Sequence, residues 1–359
     1  MSKLRVGVIF GGMSAEREIS LATGRYVYSL LDPQRYDGIA LFMAPDSRVW
    51  EVPDKLVIQN TTADVVARLQ TDAEPIPLEE LPKRVDLVFN ALLGKYGEDG
   101  AFQGVLELLD LPYTGSGVLA STVGMDKRIH KALLRSEGIP VAEDVVIERS
   151  AWTTDPERWL TQVKEALRYP VVVKPTREGS SIGVSTAGDR ETLTRAIEGA
   201  FSWDREILVE EYLEGIEFMC VVLGNDAPEA MLPTEVSFAG ELHTYESKYM
   251  PGRAQYHTPA RVPEPVLHKI QEMAVRVYQL IGCKGYGRVD GFVVGETIYI
   301  SEPHTGTIMV PSSYVFHQAA RHKVPTKGGD GSKGLSPRDL ITQIIELAAE
   351  AHRGKKGAL

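Results

Sequence analysis

A lysine that follows an apolar run and precedes a loop of small residues is the feature of this sequence most directly connected to chemistry. Three valines at positions 171–173 predict a buried strand that ends at Lys174, and residues 179–183 are mostly glycine and serine. Such a loop leaves backbone N–H groups and hydroxyls available to bind anionic oxygen beside the lysine ammonium. The pattern predicts a phosphate-binding loop, although a Gly/Ser turn that closes a hairpin beside a surface lysine has the same composition.

A second group of charged residues belongs to two consecutive predicted strands. Arg288 and Asp290 are two residues apart, so they lie on one face of the first strand. The second strand ends in Glu302, and His304 follows two positions later. In a hairpin, Asp290, Glu302 and His304 would bind a hard divalent cation, with an arginine beside it to stabilise phosphoryl charge. Magnesium favours all-oxygen ligation, so the histidine is atypical, and simple pairing of surface charges is the alternative.

Three acidic segments give weaker signals. Glu16 follows a Gly-Gly turn at a predicted helix start, and residues 94–100 open another helix with two carboxylates. Acidic residues in a first turn commonly do no more than interact with the helix dipole. Residues 210–213 close a strand whose backbone edge could bind an adenine ring, or could simply be an edge strand.

Composition places the chain among ordinary globular proteins. It has 359 residues, a formal net charge of −10 and a pI near 5.4, which argues against a broad nucleic-acid surface and favours small substrates. Cys220 and Cys283 stand alone in apolar surroundings, as core thiols do in a reducing compartment. Neither a signal peptide nor an apolar span of about 20 residues is evident, so we expect a cytoplasmic protein with no membrane partner.

The order of predicted elements indicates an α/β protein. Strands near residues 6–10, 38–42 and 85–92 alternate with helices, as in a doubly wound sheet with its ligand edge at the carboxyl ends of the strands. From about residue 125 the pattern becomes that of a smaller α+β domain. A long polar segment at 244–261 and a glycine-rich insertion at 326–334 interrupt the remainder.

Several segments, taken together and in order, resemble the D-alanine–D-alanine ligase family of the ATP-grasp superfamily. The resemblance rests on residues 11–20 (GGMSAEREIS), 97–100 (GEDG), 112–117 (PYTGSG), 125–127 (MDK), 174–181 (KPTREGSS), 245–249 (YESKY) and 285–290 (GYGRVD). It implies an ATP-grasp fold preceded by a Rossmann-like N-terminal domain. The implied domains are residues 1–122, a central ATP-grasp domain at 123–213, and a C-terminal domain at 214–359 with the metal and catalytic site.

The resemblance implies an ATP-dependent ligase for peptidoglycan precursors. ATP would phosphorylate the carboxylate of one D-alanine, and the amine of a second would attack the acyl phosphate to give the dipeptide, ADP and phosphate. The residues that match ATP-binding positions are Lys127, Lys174, Ser181 and Lys248 near the phosphates, Glu210, Tyr212 and Leu213 for adenine, and Glu217 for ribose.

The resemblance also assigns catalytic and metal-binding roles. Glu16, Ser180 and Tyr249 match a hydrogen-bonded trio around the first substrate. Arg288 matches the residue that stabilises the acyl phosphate, and Ser313 matches the serine that contacts the carboxylate of the second substrate. The metal, Mg²⁺ or Mn²⁺, would be bound by Asp290, Glu302 and His304. Family members also suggest a homodimer.

Two departures concern the second substrate and the metal. Leu93 stands where the family usually has histidine, and His304 replaces the metal-binding asparagine. Thr307-Ile308 replaces a Pro-Gly pair beside the second-substrate pocket. The alternatives are therefore a ligase for another D-amino or hydroxy acid, or a catalytically silent nucleotide-binding protein. Tyr249 favours an amino acid as second substrate, because relatives that use a hydroxy acid usually lack it.

Overall fold

The computed structural model describes residues 3–238, 254–322 and 334–357. In these ranges the chain forms three β-sheets with helices packed on them. The strands are β1 (Leu4–Gly11), β2 (Tyr36–Met43), β3 (Val49–Glu51), β4 (Glu74–Ile76), β5 (Leu87–Asn90), β6 (Asp144–Glu148), β7 (Val171–Pro175), β8 (Ser185–Ala187), β9 (Glu206–Glu211), β10 (Ile216–Leu223), β11 (Glu229–Ala230), β12 (Thr234–Phe238), β13 (Ala254–His257), β14 (Tyr286–Val294) and β15 (Thr297–His304).

Helices of very different lengths connect these strands. They are α1 (Arg17–Leu30), α2 (Asp54–Val57), α3 (Thr62–Val66), α4 (Leu69–Asp72), α5 (Leu81–Arg84), α6 (Ala101–Leu108), α7 (Val118–Met125), α8 (Lys127–Ser136), α9 (Arg149–Thr154), α10 (Pro156–Ala166), α11 (Arg190–Ala200), α12 (Glu264–Leu280), α13 (Tyr314–Ala319) and α14 (Pro337–Gly357). A 3-10 turn at Leu78–Glu80 precedes α5.

The first sheet has the strand order β4-β3-β2-β1-β5, with β1 parallel to both β2 and β5. Residues 6–11 of β1 are all buried, as expected for a parallel strand that is covered on both faces. The chain leaves β1 through Gly11 and Gly12, whose φ angles of 90° and 99° favour glycine. This turn brings Glu16 to the N-terminus of α1, at the carboxyl edge of the sheet.

The second sheet is antiparallel, with the order β6-β9-β7-β8. Helices α10 and α11 bury Leu160, Val163, Leu193 and Ile197 in the same core cluster as the valines of β7. Lys174 lies in β7, next to its last residue, as the sequence predicts. This sheet therefore presents Lys174 and the following Gly/Ser loop on a rigid base.

The third sheet has the order β13-β12-β10-β14-β15, with β11 paired to β10. Strand β13 is part of the segment that the sequence describes only as a polar connection, and it pairs with β12 at the sheet edge. Strands β14 and β15 form the predicted hairpin, with Asp290 opposite Glu302 and Arg288 opposite His304. Helix α12 packs on this sheet and buries Ile270, Ala274 and Val277.

The units are connected through shared cores. Residues Leu340, Ile341, Ile344 and Ile345 of helix α14 pack in the same cluster as the first sheet. The proposed boundary at residue 122 stays a prediction, and it falls within helix α7. Cys220 and Cys283 are both unbridged and buried, which confirms the interpretation as core thiols. Within the described residues, no helix has the length and apolarity needed to cross a membrane.

Candidate active site

The hairpin β14–β15 concentrates charge at one position. Arg288 donates two hydrogen bonds to Asp290, from Nε to Oδ1 at 2.6 Å and from Nη2 to Oδ2 at 2.7 Å. His304 Nε2 lies 3.2 Å from Asp290 Oδ2 and 3.7 Å from Glu302 Oε2. The other oxygen of Glu302 accepts a hydrogen bond of 2.7 Å from Lys127 Nζ. Positive and negative groups therefore alternate along the mouth of the hairpin.

The cations keep these buried carboxylates ionised. Burial raises the pKa of Glu302, but the charges of Lys127 and His304 outweigh it and hold the pKa well below its ordinary value. Asp290 is 8% exposed, and burial likewise raises its pKa, whereas Arg288 and His304 lower it to below the ordinary value. Both carboxylates are therefore present as oxygen anions near neutral pH.

The carboxylates of Asp290 and Glu302 have the donor chemistry that a magnesium ion needs. Their oxygens are bonded to Arg288, His304 and Lys127, and among the described residues no group of three acidic, histidine or cysteine side chains is already arranged as a metal cage. A cation would replace some of these partners. His304 is close enough to both carboxylates to belong to the same site.

The Gly/Ser loop after β7 reaches the N-terminal unit. Ser180 Oγ donates a hydrogen bond to Glu16 Oε1, and the backbone carbonyl of Glu178 accepts a bond of 2.6 Å from Lys127 Nζ. Ser180 and Ser181 have φ angles of 49° and 60°, so the loop holds a left-handed turn at two non-glycine positions. These contacts place the loop between the hairpin and the start of α1.

Glu16 faces a second carboxylate. Glu16 is 5% exposed, and burial followed by the charge of Glu98 raises its pKa to about 7. The pKa of Glu98 is also raised by burial, although its Oε2 accepts a hydrogen bond of 2.7 Å from Gly94 N. The sequence analysis includes Glu98 in a helix-opening segment and in a segment of the family resemblance but assigns it no role. The signals for it were its position after a Gly-Lys-Tyr-Gly turn, next to Asp99, and its place in the GEDG segment that contributes to the family resemblance.

Ser313 and Tyr314 form the opposite wall. Ser313 caps α13, and its hydroxyl donates a bond of 2.7 Å to the carbonyl of Ile308. The hydroxyl of Tyr314 contacts Arg288 Nη1 and lies 2.9 Å from Thr307 Oγ1. Tyr314 is absent from the sequence prediction, because nothing in its local pattern distinguishes it from a core aromatic residue. It fixes the second end of the Arg288 guanidinium.

These groups surround a cavity of about 620 Å³. The site residues that line it are Glu16, Leu93, Glu98, Ser180, Ser181, Arg288, Asp290, Glu302, His304, Thr307, Ile308, Ser313 and Tyr314. Sequence reasoning predicted most of this set. Lys248 and Tyr249 lie outside the described residues, as do positions 326–333 of the predicted insertion.

The residues predicted to bind the nucleotide are divided between two places. Ser181 lines the cavity and Lys127 begins α8, whereas Lys174, Glu210 and Glu217 lie on β7, β9 and β10. Lys174 Nζ contacts Glu210 Oε2 at 2.6 Å, and Lys131 Nζ contacts Glu210 Oε1 at the same distance. Tyr212 and Leu213 follow β9 and are partly exposed, whereas Glu217 on β10 is 7% exposed. Sequence reasoning missed Lys131, although its spacing of four residues from Lys127 puts both lysines on one face of α8.

Two family models match almost the whole chain. One is described as the D-ala D-ala ligase N-terminus and matches residues 5–116, and the other is described as the D-ala D-ala ligase C-terminus and matches residues 133–346. A D-alanine–D-alanine ligase of Syntrophobacter fumaroxidans is 39% identical, covering 97% of this chain and 98% of the relative. One of Geobacillus thermodenitrificans is 35% identical, covering 99% of this chain and 98% of the relative.

Solved structures are similar over the same length. The D-alanine-D-alanine ligase of Coxiella burnetii has a TM-score of 0.81 at 27% identity, covering 100% of this chain and 97% of that one. The VanG D-Ala:D-Ser ligase of Enterococcus faecalis also has a TM-score of 0.81, at 28% identity, covering 97% of this chain and 100% of that one.

Proposed function

The chain belongs to the D-alanine–D-alanine ligase family, and from this membership we infer that it is an ATP-dependent ligase that joins two D-alanine molecules for the synthesis of peptidoglycan precursors. The predicted family and the predicted ATP-grasp fold with its Rossmann-like N-terminal domain are confirmed. The observation that carries the assignment of the site is the anchoring of Arg288, between Asp290 and Tyr314, in the wall of the 620 Å³ cavity.

Arg288 is oriented for the charge that develops during acyl transfer. Two hydrogen bonds to Asp290 and one contact to Tyr314 fix its guanidinium plane, so no reorganisation is needed when the reaction produces anionic oxygen. A preorganised cation in a water-poor cavity stabilises such charge most effectively. Arg288 therefore stabilises the acyl phosphate and the tetrahedral intermediate that forms when the second amine attacks.

Glu16 and Glu98 bind the ammonium group of the first D-alanine in this proposal. Both carboxylates face the cavity, and each raises the cost of ionising the other. A substrate ammonium close to the pair would relieve that repulsion and favour the ionised form of both. Ser180 holds Glu16 through its hydroxyl, and thereby connects the substrate to the loop predicted to cover the phosphates. Tyr249 remains the predicted third member of this group.

The nucleotide is assigned to the second sheet and to the start of β10 in the third sheet. In this proposal, Lys127, Lys174 and Ser181 bind phosphate oxygens. Glu210, Tyr212 and Leu213 bind adenine, and Glu217 binds ribose. Support comes from their placement: Lys174 and Glu210 share one face of adjacent strands, and Lys127 lies between the loop and the metal-binding hairpin. Lys248 stays a predicted phosphate contact.

Magnesium is the metal that the carboxylates of Asp290 and Glu302 favour, with His304 as a third ligand that would also accept Mn²⁺. When bound there, the ion would neutralise phosphate charge during phosphoryl transfer. With an ion at Glu302, Lys127 would be released from that carboxylate to bind phosphate, while Asp290 would keep Arg288 in place.

A second candidate function concerns the acceptor substrate. Leu93 and Ile308 both line the cavity, at two positions where the sequence departs from the family pattern. An apolar wall at these positions changes the shape available to the second substrate without changing the phosphoryl chemistry. A D-amino acid other than alanine, or a D-hydroxy acid, is therefore the alternative acceptor.

A coupled phosphate-release assay with mass spectrometry of the products separates these functions. We expect D-alanine alone to support ATP-dependent phosphate release with formation of its dipeptide, and D-serine or D-lactate to add little mixed product. If phosphate release instead requires D-serine or D-lactate, that acceptor, and not D-alanine, is the second substrate. No turnover with any acceptor would favour the catalytically silent alternative.

We also propose a cellular compartment and an oligomeric state for the enzyme. A cytoplasmic homodimer is consistent with the reducing compartment expected from its two unbridged cysteines and with the family resemblance. Size-exclusion chromatography with light scattering would measure the mass of the protein in solution. The mass of a monomer throughout the micromolar concentration range would contradict the dimer.

A further inference from the structure

Lys131 occupies an unusual position for a lysine, because its side chain is only 2% exposed. It extends from α8 and bonds Glu210 Oε1 on β9 at 2.6 Å, with Asp144 Oδ1 on β6 at 3.4 Å. A buried ammonium ion is costly unless it is paired. Nothing in the proposed reaction uses Lys131, so its retention in the core requires another reason.

The strand pairing of the second sheet places two carboxylates beside Lys131. Asp144 and Glu210 lie directly opposite each other on β6 and β9. Like charges at such a pair destabilise a sheet unless a cation separates them. Lys131 is placed between the two carboxylates, and Arg135 contacts Asp144 from the more exposed side. Lys131 therefore neutralises a repulsion built into the strand pairing.

Glu210 has a second cation that is placed differently. Lys174 bonds the other oxygen, Oε2, at 2.6 Å, and its side chain is 17% exposed, compared with 2% for Lys131. Lys174 comes from the strand that leads into the phosphate-binding loop, whereas Lys131 comes from helix α8. Of the two cations, Lys174 is the one that can leave Glu210 without moving a packed element.

We propose that Lys131 is a positioning residue of the nucleotide site, which holds Glu210 in place when Lys174 transfers from Glu210 to a phosphate group. The proposal rests on the proposed nucleotide site, in which Lys174 binds phosphate and Glu210 binds adenine. With Lys131 present, Glu210 stays ionised and can accept a hydrogen bond from the exocyclic amino group of adenine. Without Lys131, the departure of Lys174 leaves a buried carboxylate with no cation bonded to it.

The charges around Glu210 agree with these separate roles of Lys131 and Lys174. Burial raises the pKa of Glu210, but the charges of Lys131 and Lys174 lower it to about 2. Among the residues that the structure describes, the charged groups that face Glu210 are Lys131 from α8, Lys174 from β7 and Asp144 from β6, with Arg135 bonded to Asp144. Removal of both lysine contacts would leave burial and Asp144 to raise the pKa, so Glu210 would take up a proton.

Binding of ADP to the full-length protein tests the proposal by its proton linkage. Calorimetry in buffers of different ionisation enthalpy measures the protons taken up between pH 7.5 and 8.5, where the phosphates of ADP are fully ionised. We expect the wild type to take up none and Lys131→Met to take up a substantial fraction of one proton. The affinity of Lys131→Met should then fall several-fold, at most about tenfold, over this pH unit. Lys131→Arg, which keeps the cation, and Lys164→Met, at an exposed lysine of α10, should behave as the wild type.

A double variant keeps the test decisive if Lys131→Met does not fold. Glu210→Gln and Lys131→Met/Glu210→Gln both lack the carboxylate, so both should bind ADP with equal affinity and no dependence on pH. A clear loss in the double variant relative to Glu210→Gln would show that Lys131 acts on the nucleotide by another route and would overturn the proposal. Equal proton uptake by Lys131→Met and wild type would overturn it as well. Failure of wild-type protein to bind ADP would instead contradict the proposed nucleotide site.

Discussion

Replacement of Glu16 by glutamine should stabilise the free protein at alkaline pH but not at acid pH. The side chain is 5% exposed, and burial together with the charge of Glu98 raises its pKa from the ordinary 4.5 to about 7. Between these two values the folded protein holds a proton that the unfolded chain has released, so the free energy of unfolding falls as pH rises through this window. The loss is complete above the folded pKa.

The size of the effect follows from the same shift. At about 1.4 kcal/mol per pKa unit, ionisation of Glu16 costs the native state roughly 3 kcal/mol at pH 8. Glutamine retains an oxygen that accepts the hydrogen bond from Ser180, but it carries no charge. Because the substitution removes the repulsion between residues 16 and 98, it also lowers the cost of ionising Glu98. We therefore expect Glu16→Gln to gain up to roughly 3 kcal/mol at pH 8 and almost nothing at pH 4.5.

Urea unfolding at the two pH values measures this difference directly. Glu79→Gln, at an exposed carboxylate of the 3-10 turn, is the matched control and should change stability little at either pH. An equal effect of Glu16→Gln at both pH values would refute the reasoning, because the gain would then not come from ionisation. A loss of stability at pH 8 would show that Glu16 is more stable ionised than protonated in the fold.

Three further substitutions test separate parts of the site. Lys174→Ala should weaken ATP binding by roughly 1.5–3 kcal/mol in calorimetry with little change in the KM for D-alanine, and unchanged ATP affinity would show that the lysine is only structural. Arg288→Lys keeps the charge but not the paired bonds to Asp290, so kcat should fall about 10²–10³-fold, whereas a wild-type kcat would remove Arg288 from the transition state. His304→Asn should raise the ratio of Mg²⁺-supported to Mn²⁺-supported turnover, and identical ratios in the two proteins would leave only Asp290 and Glu302 as ligands.

Local pattern was sufficient to predict the elements that hold the site. The hairpin β14–β15 is closed by only two residues, so a short turn fixes the register of its first pairs, from Val294–Thr297 to Gly291–Ile300. A β-bulge between Gly291 and Asp290 then shifts the register by one residue and brings Asp290 opposite Glu302, and this shift was not predicted. The apolar run before Lys174 likewise predicted strand β7 and the place where it ends. In both cases the information lies within a few residues along the chain.

Contacts between distant strands were not predictable in the same way. The pairing of Lys174 with Glu210 depends on the register of β7 against β9, and the role of Lys131 depends on β6 lying beyond β9. Neither pair of strands is joined by a short turn that would fix its register, so the sequence alone did not show which residues lie opposite each other. Glu98 was assigned no role from the sequence for a related reason, because its facing partner, Glu16, comes from a different strand-to-helix connection.

The route of one oxygen atom tests the central claim most directly. If the ligase proceeds through an acyl phosphate, the amine of the second D-alanine expels a phosphate that retains one oxygen of the first carboxylate. With D-alanine labelled by ¹⁸O in both carboxylate oxygens, mass spectrometry of the released phosphate should therefore find one ¹⁸O for each dipeptide formed. Dipeptide formation with unlabelled phosphate would contradict the acyl-phosphate route and, with it, the role assigned to Arg288.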